Sequence, residues 1–230
     1  MKIVLFDIDG TLLLSDGAGR RAMERALVET FGVMGPKSYR YGGKTDRLIV
    51  REKMRIEGFA DDAIDAAVDA TVQAYLRNLR AEIDRDPQAL RSLPGVFELL
   101  SAVEAHEGML LGLLTGNVIE GADLKLRAVH IEPERFRVGA FGSDHEERPM
   151  LPPIARERAS RLLGRVVAGD QLVIIGDTEH DMTCGLGVGA RAIGVATGGV
   201  ARTTLESHAP VAVFDDFTDT PRVLEAILDA

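Results

Sequence analysis

The sequence predicts an α/β fold in which a mainly parallel sheet is interrupted by a helical insertion. Lys2-Ile-Val-Leu-Phe6, Met109-Leu-Leu-Gly-Leu-Leu114 and Gln171-Leu-Val-Ile-Ile175 are near-continuous apolar runs, the pattern of strands buried on both faces. Each run ends on a polar residue, at Asp7, at Thr115 and, one glycine later, at Asp177. Between the first run and Pro94-Gly95 the apolar residues take helical spacing, and beyond it strand and helix alternate, as a parallel sheet requires.

The elements follow in order. Ala18, Ala22, Met23, Ala26, Leu27 and Phe31 form one helical stripe, closed by Gly32. Ile64, Ala67, Val68, Thr71, Val72, Tyr75, Leu76 and Leu79 form a longer one, for which Asp61-Asp62 is the expected cap. Val96, Leu99, Leu100 and Val103 face inward on a helix leading to the strand that ends at Thr115. Leu124, Leu126 and Val129 mark the next helix, Val138 to Phe141 a short strand, and Ile154 to Leu163 another helix. After the strand ending at Ile175, Gly185, Gly187 and Gly189 loosen the end of a helix before Arg191-Ala-Ile-Gly-Val195, and Val211-Ala-Val-Phe214 is a late strand. There is no internal repeat.

At 230 residues and 46% hydrophobic content the chain has ample material for a packed core. A net charge of −9 and a pI near 5.1 argue against a broad nucleic-acid or membrane surface, since both partners are polyanions. The five-residue run before Asp7 is too short for a signal peptide, and no segment approaches the roughly 20 apolar residues of a membrane span. A single cysteine, Cys184, excludes an internal disulfide and fits a reducing compartment, so a cytoplasmic location is expected.

Four stretches carry chemistry: Asp7-Ile-Asp9-Gly10-Thr11, Thr115-Gly116-Asn117, Arg148-Pro149, and Gly176-Asp177-Thr178-Glu179-His180-Asp181. The carboxyl ends of parallel strands are where open α/β sheets bind ligands. In residue type, order and spacing the set resembles the haloacid dehalogenase superfamily, from the first strand to past Gly199. The resemblance implies a Rossmann-like three-layer core, residues 1–14 and 87–230, with an inserted helical cap at 15–86.

It also implies Mg²⁺-dependent phosphoryl transfer. Asp7 fits the nucleophile that forms an aspartyl-phosphate, and Asp9 the acid and base that protonates the leaving group and then deprotonates water. Asp9 speaks against a dehalogenase, whose halide leaves without a proton. Asp7, the backbone carbonyl of Asp9, Asp177 and Asp181 make an oxygen shell suited to Mg²⁺, Asp181 either directly or through water. Thr115 offers a hydroxyl, Gly116 and Asn117 amide donors, and Gly10-Thr11 close approach to the phosphate. The third motif of the family is commonly a lysine before proline. Here Arg148 is the expected cation, with Arg156 and Arg158 as alternatives, while Lys125 lies too early, on the helix after Thr115.

Tyr41-Gly-Gly-Lys44-Thr45-Asp46-Arg47 breaks the helical texture and looks like a segment of phosphoglycolate phosphatase relatives. It reads equally as an ordinary helix start capped by Thr45 or Asp46, or as a loop that brings Lys44 or Arg47 to an anionic substrate. Glu146-Glu147, His145 and His180 read as solvated, since no histidine or cysteine stands at a zinc-like spacing. The expected activity is hydrolysis of a small phosphorylated metabolite, phosphoglycolate-like in character. A phosphomutase of the β-phosphoglucomutase type uses the same residues, and a non-catalytic phosphate-sensing module is the reading from another class. Substrate-dependent phosphate release separates them.

Overall fold

A computed structural model describes residues 1–230. The chain opens with β1 (Lys2–Phe6), whose side chains alternate between two cores, Val4 and Phe6 in one and Ile3 and Leu5 in the other. Apolar packing on both faces is why the run is unbroken in sequence. There follow β2 (Leu13–Leu14), α1 (Ala18–Phe31), α2 (Asp46–Ile56), α3 (Asp61–Arg85) and β3 (Arg91–Ser92). Strand and helix then alternate through α4 (Val96–Ala105), β4 (Met109–Thr115), α5 (Ile119–Ala128), β5 (Val138–Phe141) and α6 (Leu151–Leu163). The chain ends with β6 (Leu172–Gly176), α7 (Glu179–Thr183), β7 (Arg191–Val195), α8 (Arg202–Glu206), β8 (Ala212–Phe214) and α9 (Thr220–Asp229).

Six strands form one sheet in the order β5-β4-β1-β6-β7-β8, every pair parallel. The central strands repeat the two-sided burial of β1: Val173 and Ile175 of β6 join one core, Leu172 and Ile174 the other. The first core is covered by α4, α5 and α9 through Leu99, Leu126 and Ile227, and the second by α6 through Leu151, Ala155 and Ala159. The result is the three-layer α/β core expected of the sequence. In layers packed this densely, truncating Ile174 to alanine costs about 2–5 kcal/mol. Because all six strands run the same way, the residues after β1, β4 and β6 emerge on one edge, with Asp7 between Thr115 and Asp177.

The three inserted helices bury a core of their own, including Met23 and Leu27 of α1, Val50 and Met54 of α2, and Val68 and Tyr75 of α3. The buried carboxylate of Glu82 ties α1 to α3: its Oε2 accepts from Arg21 at 2.7 Å and from Arg85 at 2.5 Å, and its Oε1 is ion-paired with Arg25 at 2.9 Å. The chain leaves and re-enters the sheet through an antiparallel ribbon, with Leu13 opposite Ser92 and Leu14 opposite Arg91. Sequence periodicity missed this ribbon, α8 and α9. Two-residue strands carry no period, whereas α9 had a legible start in Asp219, which accepts from Arg222 N, and Pro221. The cap of α3 also differs: Ala60 is the N-cap, and Asp61 and Asp62 lie in the first turn, where their charge favours the helix dipole.

Candidate active site

Beyond β1 the chain turns sharply: the amides of Leu12 and Leu13 both donate to the Ile8 carbonyl, and Gly10 takes φ +84°. A Cβ at Gly10 would lie 2.3 Å from Asp177 Oδ2, so only glycine lets the turn approach that carboxylate. Thr11 is buried beneath it and donates from Oγ1 to Asp177 Oδ1 at 3.3 Å. The turn therefore packs the first and last motifs together.

Asp7, Asp177 and Asp181 are buried, and their carboxylate oxygens lie within 4.8 Å of one another. Burial pushes Asp7 up to about 6, with Arg148 opposing and Asp181 and Asp9 adding to the rise. Asp177 is raised well above the ordinary carboxylate range, by burial first and then by Asp181 and Asp7. Three crowded carboxylates beside one guanidinium are short of positive charge, and hard oxygen donors at this spacing fit a divalent cation such as Mg²⁺. The Asp9 carbonyl oxygen accepts no hydrogen bond from the chain. Asp181 is differently committed. Its Oδ2 accepts from the Thr178 amide at 3.0 Å and hydroxyl at 2.6 Å, and its Oδ1 accepts from Arg148. That leaves Asp177 and Asp7 with the freer oxygens and fits Asp181 to the indirect role.

Arg148 opens a short 3₁₀ turn before α6 and is buried, with Nη2 3.4 Å from Asp7 Oδ1 and 3.4 Å from the Leu114 carbonyl oxygen. Burial works against its charge, but Asp181 and Asp7 outweigh it and hold the guanidinium protonated. Its buried Nε has no partner in the chain. Arg158 lies elsewhere, paired with Asp144 at 2.7 Å.

Thr115 Oγ1 accepts from Asn117 Nδ2 at 2.9 Å and from the Asn117 amide at 3.3 Å, which leaves its own proton to donate. The Asn117 amide, expected to face the phosphate, is thus engaged by Thr115. Gly116 carries the inserted helices: its carbonyl accepts from Asp46 N at 2.8 Å, and a Cβ there would lie 2.1 Å from the Lys44 carbonyl oxygen. Thr45 caps α2 by accepting from Leu48 N at 3.2 Å, and its hydroxyl donates to the Glu146 carbonyl at 2.6 Å. Glu146 is not merely solvated, because its carboxylate accepts from Arg51 of α2 at 2.8 Å. His180 meets the Gly43 backbone, where a Cβ would lie 2.4 Å from its ring, and desolvation there lowers its pKa.

A cavity of about 370 Å³ opens between sheet edge and insertion. It is bordered by Asp7, Asp9, Gly10, Thr115, Gly116 and Asn117, with Arg148 and Asp177 below and Lys44 above. Lys44 Nζ is held by Glu52 at 2.5 Å and the Tyr39 hydroxyl at 3.1 Å. Arg47 is not on the wall. The helix that starts at Asp46 turns it outward, where Nη2 pairs with Asp69 at 2.6 Å.

Residues 4–195 match the model of the haloacid dehalogenase-like hydrolases. The chain belongs to this family. It is 30% identical over 223 residues to a phosphoglycolate phosphatase of Rhodospirillum rubrum, a match covering 94% of this chain and 88% of the relative. In fold it is similar to a hydrolase from Pseudomonas syringae, with a TM-score of 0.72, 23% identity and 98% of both chains covered. It is also similar to CbbY from Rhodobacter sphaeroides, solved in complex with phosphate, with a TM-score of 0.65, 18% identity and 95% and 96% of the two chains covered.

In this haloacid dehalogenase-like hydrolase, sequence reasoning missed Lys125. Its ammonium is buried on the cavity wall, 2.6 Å from both Asp9 Oδ2 and Asn117 Oδ1. The signal was its position, because Ala122, Lys125, Leu126 and Val129 follow i, i+3, i+4, i+7 and place a lysine in the inward stripe of α5. Asp46, Tyr75 and Arg20 of the insertion also border the cavity.

Proposed function

We propose that this hydrolase is a Mg²⁺-dependent phosphatase of a small phosphorylated metabolite, phosphoglycolate-like in carrying a second anionic group, and that it works through an aspartyl-phosphate on Asp7. The observation that carries the reading is the triad of buried carboxylates facing Arg148 at the foot of a cavity bordered by Asp9 and Thr115. Asp7, Asp177 and the Asp9 carbonyl would hold Mg²⁺, with Asp181 bound through water. The bound ion would neutralise the carboxylates and the phosphoryl oxygens. The cap, assigned here to residues 15–86, roofs the site.

The chain's own residues do the rest. A carboxylate oxygen of Asp7 attacks phosphorus as the bond to the leaving oxygen breaks, while Asp9 passes its proton to that oxygen. The Thr115 hydroxyl and the Arg148 guanidinium meet the charge on the phosphoryl oxygens. Asp9 then takes a proton from water, which attacks phosphorus, frees Asp7 and releases inorganic phosphate. Lys44 faces the substrate's second anionic group. The single cysteine, Cys184, unpaired in the fold, supports a cytoplasmic setting.

The test is phosphate release from a panel of phosphorylated organic acids and sugar phosphates, with and without Mg²⁺. Acid-quenched protein is then examined by mass for phosphate on Asp7. Chelator-resistant turnover, or a phosphate-free Asp7 during steady hydrolysis, would falsify the mechanism. Return of the phosphoryl group to a sugar phosphate without net release would establish a mutase.

A further inference from the structure

Lys125 is a buried cation on the cavity wall to which the reaction above gives no task. From α5 its Nζ reaches Asp9 Oδ2 and Asn117 Oδ1, each at 2.6 Å. Asn117 Nδ2 in turn donates to the same Asp9 Oδ2 at 2.8 Å. The three side chains close a triangle in which one carboxylate oxygen takes two donors and the other, Oδ1, takes none from the chain. The Asp9 side chain is 40% exposed and that of Lys125 only 5%, so the grip is applied from inside on a residue that borders the cavity.

Neighbours keep the grip in place. A Cβ at Gly19 would make ordinary contact, 3.5 Å from Lys125 Nζ and 3.9 Å from the Tyr75 hydroxyl, so α1 passes close against both at that point. Burial works against the charge of Lys125, but Asp9, Tyr75 and Asp46 outweigh it and the ammonium keeps its donors.

We propose that Lys125 is a positioning residue, which with Asn117 clamps Asp9 Oδ2 and so aims Oδ1 at the oxygen of the leaving group. The kinetic consequence rests on the phosphatase reading, whereas the clamp itself does not. A correctly aimed acid matters in proportion to the basicity of the group that departs. An alkoxide must be protonated as it leaves; 4-nitrophenolate need not be.

The experiment compares kcat/KM of the full-length protein and of Lys125→Met for an alkyl phosphate and for 4-nitrophenyl phosphate. The expected loss is about 10²-fold on the alkyl ester and less than about 5-fold on the aryl ester, with partial recovery in Lys125→Arg. In an Asp9→Asn background Lys125→Met adds nothing, because both changes remove one function. Equal losses on the two esters, a further loss in the Asp9→Asn background, or a rise in KM with kcat unchanged would each overturn the proposal, the last by making Lys125 a substrate contact. Asn117→Leu removes the other donor, carries the same expectation, and serves where Lys125→Met does not fold. A crystal structure of Lys125→Met decides the clamp without any activity: Asp9 turned away from Asn117 supports it, and Asp9 unmoved overturns it. If the unaltered protein hydrolyses neither ester with Mg²⁺, the phosphatase reading fails while the crystallographic comparison still decides the clamp.

Discussion

Arg148 Nη2 lies 3.4 Å from Asp7 Oδ1 and donates from the same nitrogen to Asp181, so one buried guanidinium serves both the proposed nucleophile and the acid behind it. Arg148→Ala is expected to lower kcat about 10²–10³-fold. It is also expected to destabilise the fold by about 3–5 kcal/mol, because it strands a buried carboxylate. Lysine at this position keeps the charge but not the planar fork, and should recover part of each loss. Steady-state kinetics together with urea denaturation checks both, and a silent Arg148→Ala would remove this residue from the site.

Metal addition should be visible without any substrate. Saturation with Mg²⁺ at about 100 times its Kd stabilises a protein by about 2.7 kcal/mol, which a melting curve reads as a rise in Tm. The rise is expected in the unaltered protein and absent in Asp177→Asn. Asp7→Asn should lose turnover while folding normally, since it relieves a crowded buried carboxylate.

Lys44 and Arg47 should part company. Lys44→Ala is expected to lower kcat/KM for a phosphorylated carboxylic acid about 10–100-fold, the worth of a hydrogen bond to a charged group, and to change 4-nitrophenyl phosphate turnover far less. Arg47→Ala, paired with Asp69 on the outer face, should leave both unchanged. Equal losses on the two substrates in Lys44→Ala would assign Lys44 to cap folding.

Asp46 supplies a pH-dependent term in stability. Burial raises its folded pKa to about 6, with Lys125 and the Val118 amide opposing, against about 3.9 in the unfolded chain. A raised acid favours folding fully below the unfolded value, and that contribution is lost as pH rises through about 6. Asp46→Asn should therefore gain on the order of 2–3 kcal/mol relative to the unaltered protein between pH 4 and pH 8. Paired denaturation curves at the two pH values test it; a pH-independent difference would count against a buried, strained carboxylate.

The thiol of Cys184 should be inert in the native state, because burial pushes it up to about 12. Iodoacetamide at pH 8 is expected to label it only after denaturation, and rapid native labelling would show that the C-terminal end of α7 opens.

The buried sheet was legible because β1, β4 and β6 are covered on both faces, which writes an unbroken apolar run into the chain, and because parallel strands bring their following residues to a common edge. Asp7, Thr115 and Asp177 could be grouped on that ground. Arg47 could not be separated from Lys44 by reading alone, since their neighbourhood in sequence hides the turn of the helix that begins between them. Lys125 was hidden for the opposite reason. Its partner Asp9 is distant in sequence, and only the packing of α5 against the sheet converts a lysine in an apolar stripe into a neighbour of the site. The ribbon of β2 and β3 left no trace because pairing between residues 13–14 and 91–92 is set by the closure of the helical insertion, not by local pattern.

That ribbon has a mechanical meaning. Both connections to the helices pass side by side, registered Leu13 to Ser92 and Leu14 to Arg91, and Arg91 is further tied to Asp16 at 2.8 Å. Two tethers yoked this way would act as one hinge and not as two separate linkers. A rotation about it would part Thr45 from Glu146, Asp46 from Val118 and Arg51 from Glu146 in a single sweep, and would lift Tyr75 from the neighbourhood of Lys125 in the same stroke.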